Sequence, residues 1–100
     1  MYKILITSSD KHDVLRRISL DLINQKLSPC THIIKNIESF YLWNGTLTND
    51  NENLLLIKSR VEDIPLIENI IIKHHNYENP EIISHEFNII SKQYKKWFDG

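Results

Sequence analysis

The segment from His75 to Glu81 holds the densest group of potentially reactive side chains in the sequence: an imidazole, a phenol and two carboxylates within seven positions. Pro80 has no backbone N–H and favours an extended conformation at Asn79, so a preceding helix must end before this point. Two isoleucines follow at positions 82 and 83. The polar group is therefore predicted to lie on a turn that leads into a strand, where functional side chains are commonly displayed.

A second group of potential metal ligands is Cys30-Thr31-His32, in a predicted strand. Residues two apart in a strand share a face, so the thiolate and the imidazole are able to converge on one ion, and this pair suits Cu(I) or Zn(II). The alternative is an inert small cysteine beside a surface histidine. His74 and His75 end a predicted helix. His74 suits an ordinary interaction with the helix dipole, whereas His75 is either a site residue or a hydrogen-bond partner of the turn.

Short motifs follow one another in a recognisable order from about Leu5 to Trp97. They are Leu27-Ser28-Pro29-Cys30, Ser39-Phe40-Tyr41-Leu42-Trp43-Asn44-Gly45, Leu55-Leu56-Ile57-Lys58-Ser59-Arg60, the His75 to Glu81 segment, and Tyr94 with Trp97. Over nearly the whole chain these motifs resemble the CutA family of divalent-cation (copper) tolerance proteins. Two positions depart from the family pattern: Asn76 stands where the family carries proline, and His32 where it usually carries asparagine.

The resemblance implies a polar cleft between neighbouring subunits that contains Lys58, Tyr77 and Glu81. A lysine inside an apolar strand requires a carboxylate partner, and Glu81 is the predicted partner of Lys58. This pair is either a stabilising ion pair between subunits or part of a ligand site. Tyr41 and Trp43 are predicted to pack at the subunit interface or, alternatively, to form an aromatic ligand platform. The candidate metal ligands are Cys30, His75, Glu81 and, on its position alone, His32.

The composition bounds the class of protein. One hundred residues, 41% hydrophobic and 25% charged, are typical of one globular domain. A net charge of −1 gives no indication of a nucleic-acid partner or an anionic membrane. The longest apolar run, Leu54 to Ile57, is far shorter than the roughly 20 residues of a membrane helix, so no membrane insertion is expected. No signal peptide is recognised at residues 1–7, and the single cysteine fits a reducing compartment, so a cytoplasmic location is expected.

The first half of the chain predicts a strand, a helix and a long second strand. Tyr2–Ser9 reads as a strand, and Asp10 is expected to cap the helix that follows. Apolar residues then recur at helical spacing until the segment Lys26–Pro29 closes the helix. The second strand runs from Cys30 towards Trp43 with a bend near Asn36.

The second half predicts a hairpin and the elements that complete the sheet. Asn44-Gly45 is a strong hairpin signal. The return strand is expected to end in Leu54 to Lys58, with residues 49–52 as an exposed loop or a ragged start. The next elements are a helix opened by Glu62, Asp63 and Pro65, a strand over Glu81–Phe87 and a short helix over Ser91–Phe98. This order predicts an α+β protein of one domain (residues 1–100), a ferredoxin-like βαββαβ sandwich with a short C-terminal helix.

The strands are apolar on both faces, which predicts an oligomer. In the first strand, Ile4 and Ile6 lie on the face opposite to that of Leu5. In the third strand, the residues from Leu54 to Ile57 are all apolar, so both faces are again apolar. The two long helices cover only one face, so the second face must be covered by something else. The terminal helix is expected to be too short for this, which makes another subunit the predicted cover. The resemblance implies a homotrimer with the PII-like architecture.

No nucleophile motif is present, and two glycines leave no glycine-rich phosphate loop, so neither an enzyme nor an organic cofactor is expected. The resemblance implies a small soluble protein of metal tolerance that binds copper or another divalent cation weakly. The alternative is a PII-like signalling or scaffold trimer that binds a small ligand or a membrane-protein partner in its subunit clefts. Fold alone does not separate these two functions.

Overall fold

The computed structural model describes all of residues 1–100 and contains one four-stranded sheet. The elements are β1 (Tyr2–Ser9), α1 (His12–Asn24), β2 (Cys30–Trp43), β3 (Thr46–Arg60), α2 (Ile64–His74, preceded by a 3₁₀ turn at Val61–Asp63), β4 (Ile83–Phe87) and α3 (Lys92–Asp99). The strands are antiparallel in the order β2-β3-β1-β4. The predicted ferredoxin-like α+β fold is confirmed, with β1 and β3 at the centre of the sheet.

Helices α1 and α2 pack on one face of the sheet, which we call the helix face. Here Leu5 of β1 lies opposite Ile57 of β3 and Thr7 lies opposite Leu55, and all four side chains are fully buried. Spacings of three and four residues place the apolar side chains of each helix on the side that meets these strands. The helices contribute Val14, Leu15, Ile18, Leu22, Ile67, Ile70 and Ile71 to the core.

The opposite face of the sheet, which we call the open face, carries the alternate residues of each strand. In the observed register the open-face positions are Tyr2, Ile4, Ile6, Leu54, Leu56, Lys58 and Arg60 on the central strands, Cys30, His32 and Ile34 on β2, and Ile83, His85 and Phe87 on β4. The open face therefore combines apolar side chains with one cysteine, two histidines, one lysine and one arginine.

Helix α3 covers one end of the open face. Its Phe98 is 2% exposed and packs edge-on against Tyr2 and Phe87, with ring centroids 5.3 and 6.1 Å away. Farther along the face, Ile34 and Ile83 remain 47% and 54% exposed. The terminal helix is thus too short to cover this face within one chain, as the sequence predicts.

The β2–β3 hairpin extends beyond the rest of the sheet as a two-stranded arm, residues 37–52. Asn44 and Gly45 form its turn with φ values of 50° and 77°, as predicted, because both residues tolerate positive φ. A β-bulge between Ile34 and Ile37, with Asn36 at φ 60°, marks the predicted bend. The arm gives the molecule its elongated extents of 46 × 25 × 21 Å.

Three expectations about element boundaries were wrong. Residues 49–52 are not a loop, because they pair with β2 throughout the arm. Asp10 does not cap α1: Lys11 is the N-cap residue, its side chain makes no capping bond, and its N–H donates to the Ser9 hydroxyl instead. Strand β4 begins at Ile83 rather than at Glu81, because its pairing with β1 starts at Ile6. Ser91 precedes α3 as its N-cap and accepts the Tyr94 N–H.

Candidate functional site

His75 lies in a turn, residues 75–77, that joins the end of α2 to the end of β1. Its Nε2 lies 2.9 Å from the Ser8 carbonyl oxygen, and its Nδ1 accepts the Tyr77 N–H at 3.0 Å. These partners require the neutral tautomer that carries its proton on Nε2. Burial of the ring holds the pKa of His75 below its ordinary value, against the smaller opposing effects of Ser8 and nearby acids. Neither nitrogen is free in this conformation, so metal ligation by His75 would require the turn to open.

Tyr77 joins three parts of the chain through its hydroxyl. The hydroxyl donates to Glu52 Oε2 at 2.6 Å and accepts the Asp10 N–H at 2.9 Å. Burial, followed by the hydrogen bond to Glu52, raises the pKa of Tyr77. Glu52 lies at the base of the arm and is only 8% exposed, so the phenol satisfies a carboxylate that has little access to water. Tyr77 therefore holds the arm, the 75–77 turn and the start of α1 together.

Asn76 occupies the position at which the sequence departs from the family motif. Its side-chain oxygen accepts the Ser9 hydroxyl at 2.6 Å, and its side-chain nitrogen donates to Asp10 Oδ1 at 2.8 Å. A proline could make neither contact. The substitution thus adds two hydrogen bonds between the turn and the β1–α1 connection, which the sequence reasoning missed.

His74 connects the two helices of the helix face. Its Nε2 lies 2.8 Å from Asp21 Oδ2 on α1. The hydrogen bond from His74, followed by one from Gln25, lowers the pKa of Asp21. His74 therefore lies in the last turn of its own helix, as expected, and also makes a hydrogen bond to the neighbouring helix.

Cys30 and His32 converge on the open face of β2, as the strand alternation predicts. The distance from Cys30 Sγ to His32 Nε2 is 3.5 Å. Both residues lie near an edge of the sheet, because β2 is the outermost strand on this side. No group of three or more His, Cys, Asp or Glu side chains within the chain has the geometry of a metal site. The structure therefore brings two potential ligands together without a third.

Lys58 lies directly opposite Cys30 in the β2–β3 register but finds a partner on α3. Its Nζ donates to the Tyr94 hydroxyl at 3.1 Å and lies 5.2 Å from the centre of the Tyr94 ring. Glu81 is exposed and takes part in none of the ion pairs within the chain. The predicted Lys58–Glu81 pair is thus not formed within one subunit, and between subunits it stays a prediction.

Tyr41 and Trp43 lie on the arm, away from the 75–77 turn. The Tyr41 hydroxyl donates to Asp50 on the facing strand, and this hydrogen bond raises the pKa of Tyr41 to about 12. Trp43 is largely exposed, as are its arm neighbours Phe40, Leu42 and Leu47. The two predicted cleft aromatics therefore present surface that no other part of the same chain covers.

Comparison with known proteins agrees with this architecture. A sequence model of the family described as "CutA1 divalent ion tolerance protein" matches residues 3–100. The chain belongs to the CutA1 family. The family description is that of a tolerance protein and not of an enzyme.

The family relatives share the fold at modest sequence identity. The chain is 27% identical over 97 residues to the "Divalent-cation tolerance protein CutA" of Thermus thermophilus, covering 97% of this chain and 94% of that protein. It is 30% identical over 82 residues to the "Protein CutA, chloroplastic" of Arabidopsis thaliana, covering 82% of this chain but 45% of that protein. The chain thus spans about half the length of this plant relative.

Two solved CutA1 structures superpose closely on this chain. The Thermus thermophilus structure has a TM-score of 0.91 at 26% identity and covers 98% of this chain and 95% of its own. The structure from the psychrotrophic bacterium Shewanella sp. SIB1, described as a stable protein, has a TM-score of 0.91 at 30% identity, covering 98% and 92%. In the present CutA1-family chain, no helix is long and apolar enough to cross a membrane.

The Tyr77 hydroxyl is testable by a matched pair of substitutions. We expect Tyr77→Phe to lower the free energy of unfolding by about 1–3 kcal/mol, because Glu52 would keep its burial and lose its donor. Tyr41→Phe is the control, since it removes the hydroxyl bonded to the more accessible Asp50 and should change stability little. Denaturant unfolding of the two variants measures both effects, and equal losses would contradict a special role for the Tyr77–Glu52 bond.

His75 predicts a pH dependence of stability. Its pKa is depressed in the folded state from the ordinary 6.5, so below about pH 6.5 the unfolded chain binds the proton more readily than the folded chain. The contribution of neutral His75 to stability is present above this pH and is lost as pH falls through it.

The pH effect is measured by comparing unfolding free energies between about pH 7.5 and about pH 5.5. The decrease in unfolding free energy caused by His75→Gln should be largest at the higher pH and should become smaller towards the lower pH. His12→Gln, at the start of α1, is the control and should follow the pH slope of the wild type. A His75→Gln variant with the wild-type slope would show that His75 does not carry the effect.

Proposed function

We propose that this CutA1-family chain acts in divalent-cation tolerance by weak metal binding at Cys30 and His32, as a homotrimer in the cytoplasm. The observation that carries the proposal is the 3.5 Å distance between Cys30 Sγ and His32 Nε2. In a tetrahedral zinc site, the metal–sulfur bond is about 2.3 Å long and the metal–nitrogen bond about 2.0 Å. At the tetrahedral angle, these bond lengths place the sulfur and nitrogen atoms about 3.5 Å apart. The pair thus matches the spacing of two ligands on one tetrahedral ion without rearrangement of β2.

The ligand chemistry favours a soft or borderline ion. Thiolate and imidazole suit Cu(I) and Zn(II), whereas Mg²⁺ and Ca²⁺ prefer oxygen ligands. The lone Cys30 suits the proposed cytoplasmic location, because a reducing compartment would keep it as a thiol.

Weak rather than tight binding follows from the number of ligands. A closed structural zinc site uses four protein ligands, and one chain offers two here. The remaining positions would be filled by water, by a small molecule that travels with the ion, or by a second subunit. Neither Glu81 nor His75 lies in a cluster with Cys30. Glu81 would therefore act as a ligand only from a second subunit, and His75 only from a second subunit or after its turn opens.

Homotrimer formation is supported by the surfaces that one chain leaves uncovered. The open face retains Ile34 and Ile83 as exposed side chains, and the arm exposes Phe40, Leu42 and Trp43. A two-stranded hairpin is marginally stable by itself, so an arm of this length requires additional packing. A neighbouring copy that covers the open face and the arm would bury both.

A PII-like scaffold trimer that binds a small ligand or a membrane-protein partner is the second candidate. The observation that favours it is Lys58, whose ammonium group is partly buried on the open face and has no carboxylate partner within the chain. Such a charge suits a ligand that brings its own anionic group.

Metal titrations test the first candidate. We expect Zn(II), followed by calorimetry, and Cu(I), followed by anaerobic competition with a chromophoric chelator, to bind saturably. Cys30→Ser and His32→Asn should each weaken binding by about tenfold or more, since removal of one of two protein ligands costs at least a hydrogen bond to a charged group. His85→Asn removes another open-face histidine and should leave the affinity unchanged. Absence of saturable binding, or equal weakening by His85→Asn, would contradict the proposed ligand pair.

The oligomer is tested separately. Light scattering on a sizing column should give about three times the chain mass of 11.9 kDa. Ile34→Asp places a charge on the open face and should dissociate the trimer, whereas Leu20→Asp, on the exposed surface of α1, should not. Because association stabilises the associated state, the unfolding midpoint should also rise with protein concentration. A wild-type protein that is monomeric at micromolar concentration would contradict the proposed trimer.

A further inference from the structure

A cavity of about 280 Å³ lies beside Lys58, where the connection from β4 to α3 crosses the open face. It is lined by Lys58, Phe87, Asn88, Ile89, Ile90, Ser91 and Tyr94. We propose that this cavity binds a small carboxylate with an apolar body, whose carboxylate pairs with Lys58. This proposal rests on the second candidate function above, and because none of the lining residues is a proposed metal ligand it does not depend on the metal-binding proposal.

The charge of Lys58 is the first argument. At the same end of the sheet, Lys3 pairs with Glu86 at 3.5 Å and Lys95 pairs with Asp99 at 2.8 Å. Lys58 is the partly buried lysine of this region that has only a phenol as its partner, at 3.1 Å. An ammonium group has three donors, and the bond to the Tyr94 hydroxyl uses one of them, while the Tyr94 ring provides a cation–π contact but no anionic partner.

The lining of the cavity is the second argument. Four of its seven lining residues are hydrophobic, and they surround one cationic group. Ligand sites typically combine a largely apolar wall with a few polar groups that fix orientation. Ile90 is 89% exposed, so an apolar ligand body that covers it would remove hydrophobic surface from water.

The chemistry favours a carboxylate over a phosphate or a nucleotide. Arg60, the arginine on the same strand, is not among the lining residues, and its Nη2 donates to the Phe98 and Asp99 carbonyl oxygens at 3.2 and 2.9 Å. One available ammonium group suits a monoanion, whereas phosphate groups usually meet several donors or an arginine fork. The cavity is also shallow and open, and its volume lies just below the range of about 300–1,000 Å³ typical of small-molecule sites, which suits a compact ligand.

Benzoate is a suitable probe, titrated into the uniformly ¹⁵N-labelled full chain and followed by amide chemical shifts. We expect saturable shifts at residues 87–94 and at Lys58, and much weaker binding of the neutral isostere benzamide. Lys58→Met should raise the dissociation constant of benzoate by about tenfold or more, because a charge-assisted contact is lost. Lys58→Arg should retain most of the affinity, and Ile90→Ser should weaken binding several-fold through the loss of apolar contact.

Two controls separate this site from its alternatives. Lys95→Met removes a lysine of α3 that is paired with Asp99, and it should leave benzoate binding unchanged. Glu81→Gln should also leave it unchanged. If benzoate binds only after Glu81→Gln, a carboxylate from a second copy neutralises Lys58 and the proposal is overturned. It is equally overturned if benzoate and benzamide bind alike, or if Lys58→Met has no effect. Metal titration of Lys58→Met should match the wild type, so failure of this proposal is distinguishable from failure of metal binding.

Discussion

The contact between the 75–77 turn and the end of β1 is the constraint on which the packing of the turn, the arm and the start of α1 depends. Strand β4 begins opposite Ile6, so the last residues of β1 have no partner on β4. The turn takes over this role, with His75 bound to the Ser8 carbonyl and Asn76 to the Ser9 hydroxyl. A buried backbone carbonyl without a partner would cost free energy, so an imidazole at this position stabilises the fold itself.

The same contact explains why the phenol of Tyr77 is able to join distant elements. With His75 fixed on β1, the Tyr77 hydroxyl meets Glu52 at the base of the arm and the N–H of Asp10 before α1. The polar residues 75–77, which stand out in the sequence as potentially reactive, thus mainly form hydrogen bonds that connect β1, β3 and the end of α2. The residues left with unused chemistry, Cys30 with His32 and Lys58, lie on the open face instead.

Local sequence patterns predict the helices, strands and turns of this chain well. They predict the side-chain contacts between residues far apart in sequence poorly. The Asn44-Gly45 hairpin, the bend at Asn36 and the two helices follow from turn chemistry and periodicity, which are encoded within a few residues. Residues 49–52 are polar and lack an apolar alternation, so the sequence does not predict their strand. Their strand conformation follows from their pairing with β2.

The site was harder to predict for the same physical reason. The convergence of Cys30 and His32 follows from strand alternation alone, but the partners of Tyr77 and Lys58 lie far away in sequence. Tyr77 meets Glu52 and Lys58 meets Tyr94, 25 and 36 residues apart. For Lys58, a carboxylate was expected because charge pairing is the usual solution, whereas the chain supplies a phenol and its ring face. The departure at Asn76 was the one available signal of extra hydrogen bonds in the turn.

The proposed assembly and the proposed binding sites share the open face, because neither candidate site is complete within one chain. Cys30 and His32 would supply two ligands of a larger set, and Lys58 lies without a carboxylate partner beside apolar side chains. A second copy that covers Ile34 and Ile83 would approach both groups, so it would either complete them or restrict access to them. Ligand affinity and oligomer stability should therefore be linked, since any ligand that favours one arrangement of subunits is in turn favoured by that arrangement. Under this linkage a tolerance protein and a ligand-sensing scaffold would differ less in fold than in which of the two neighbouring groups the proposed trimer leaves accessible.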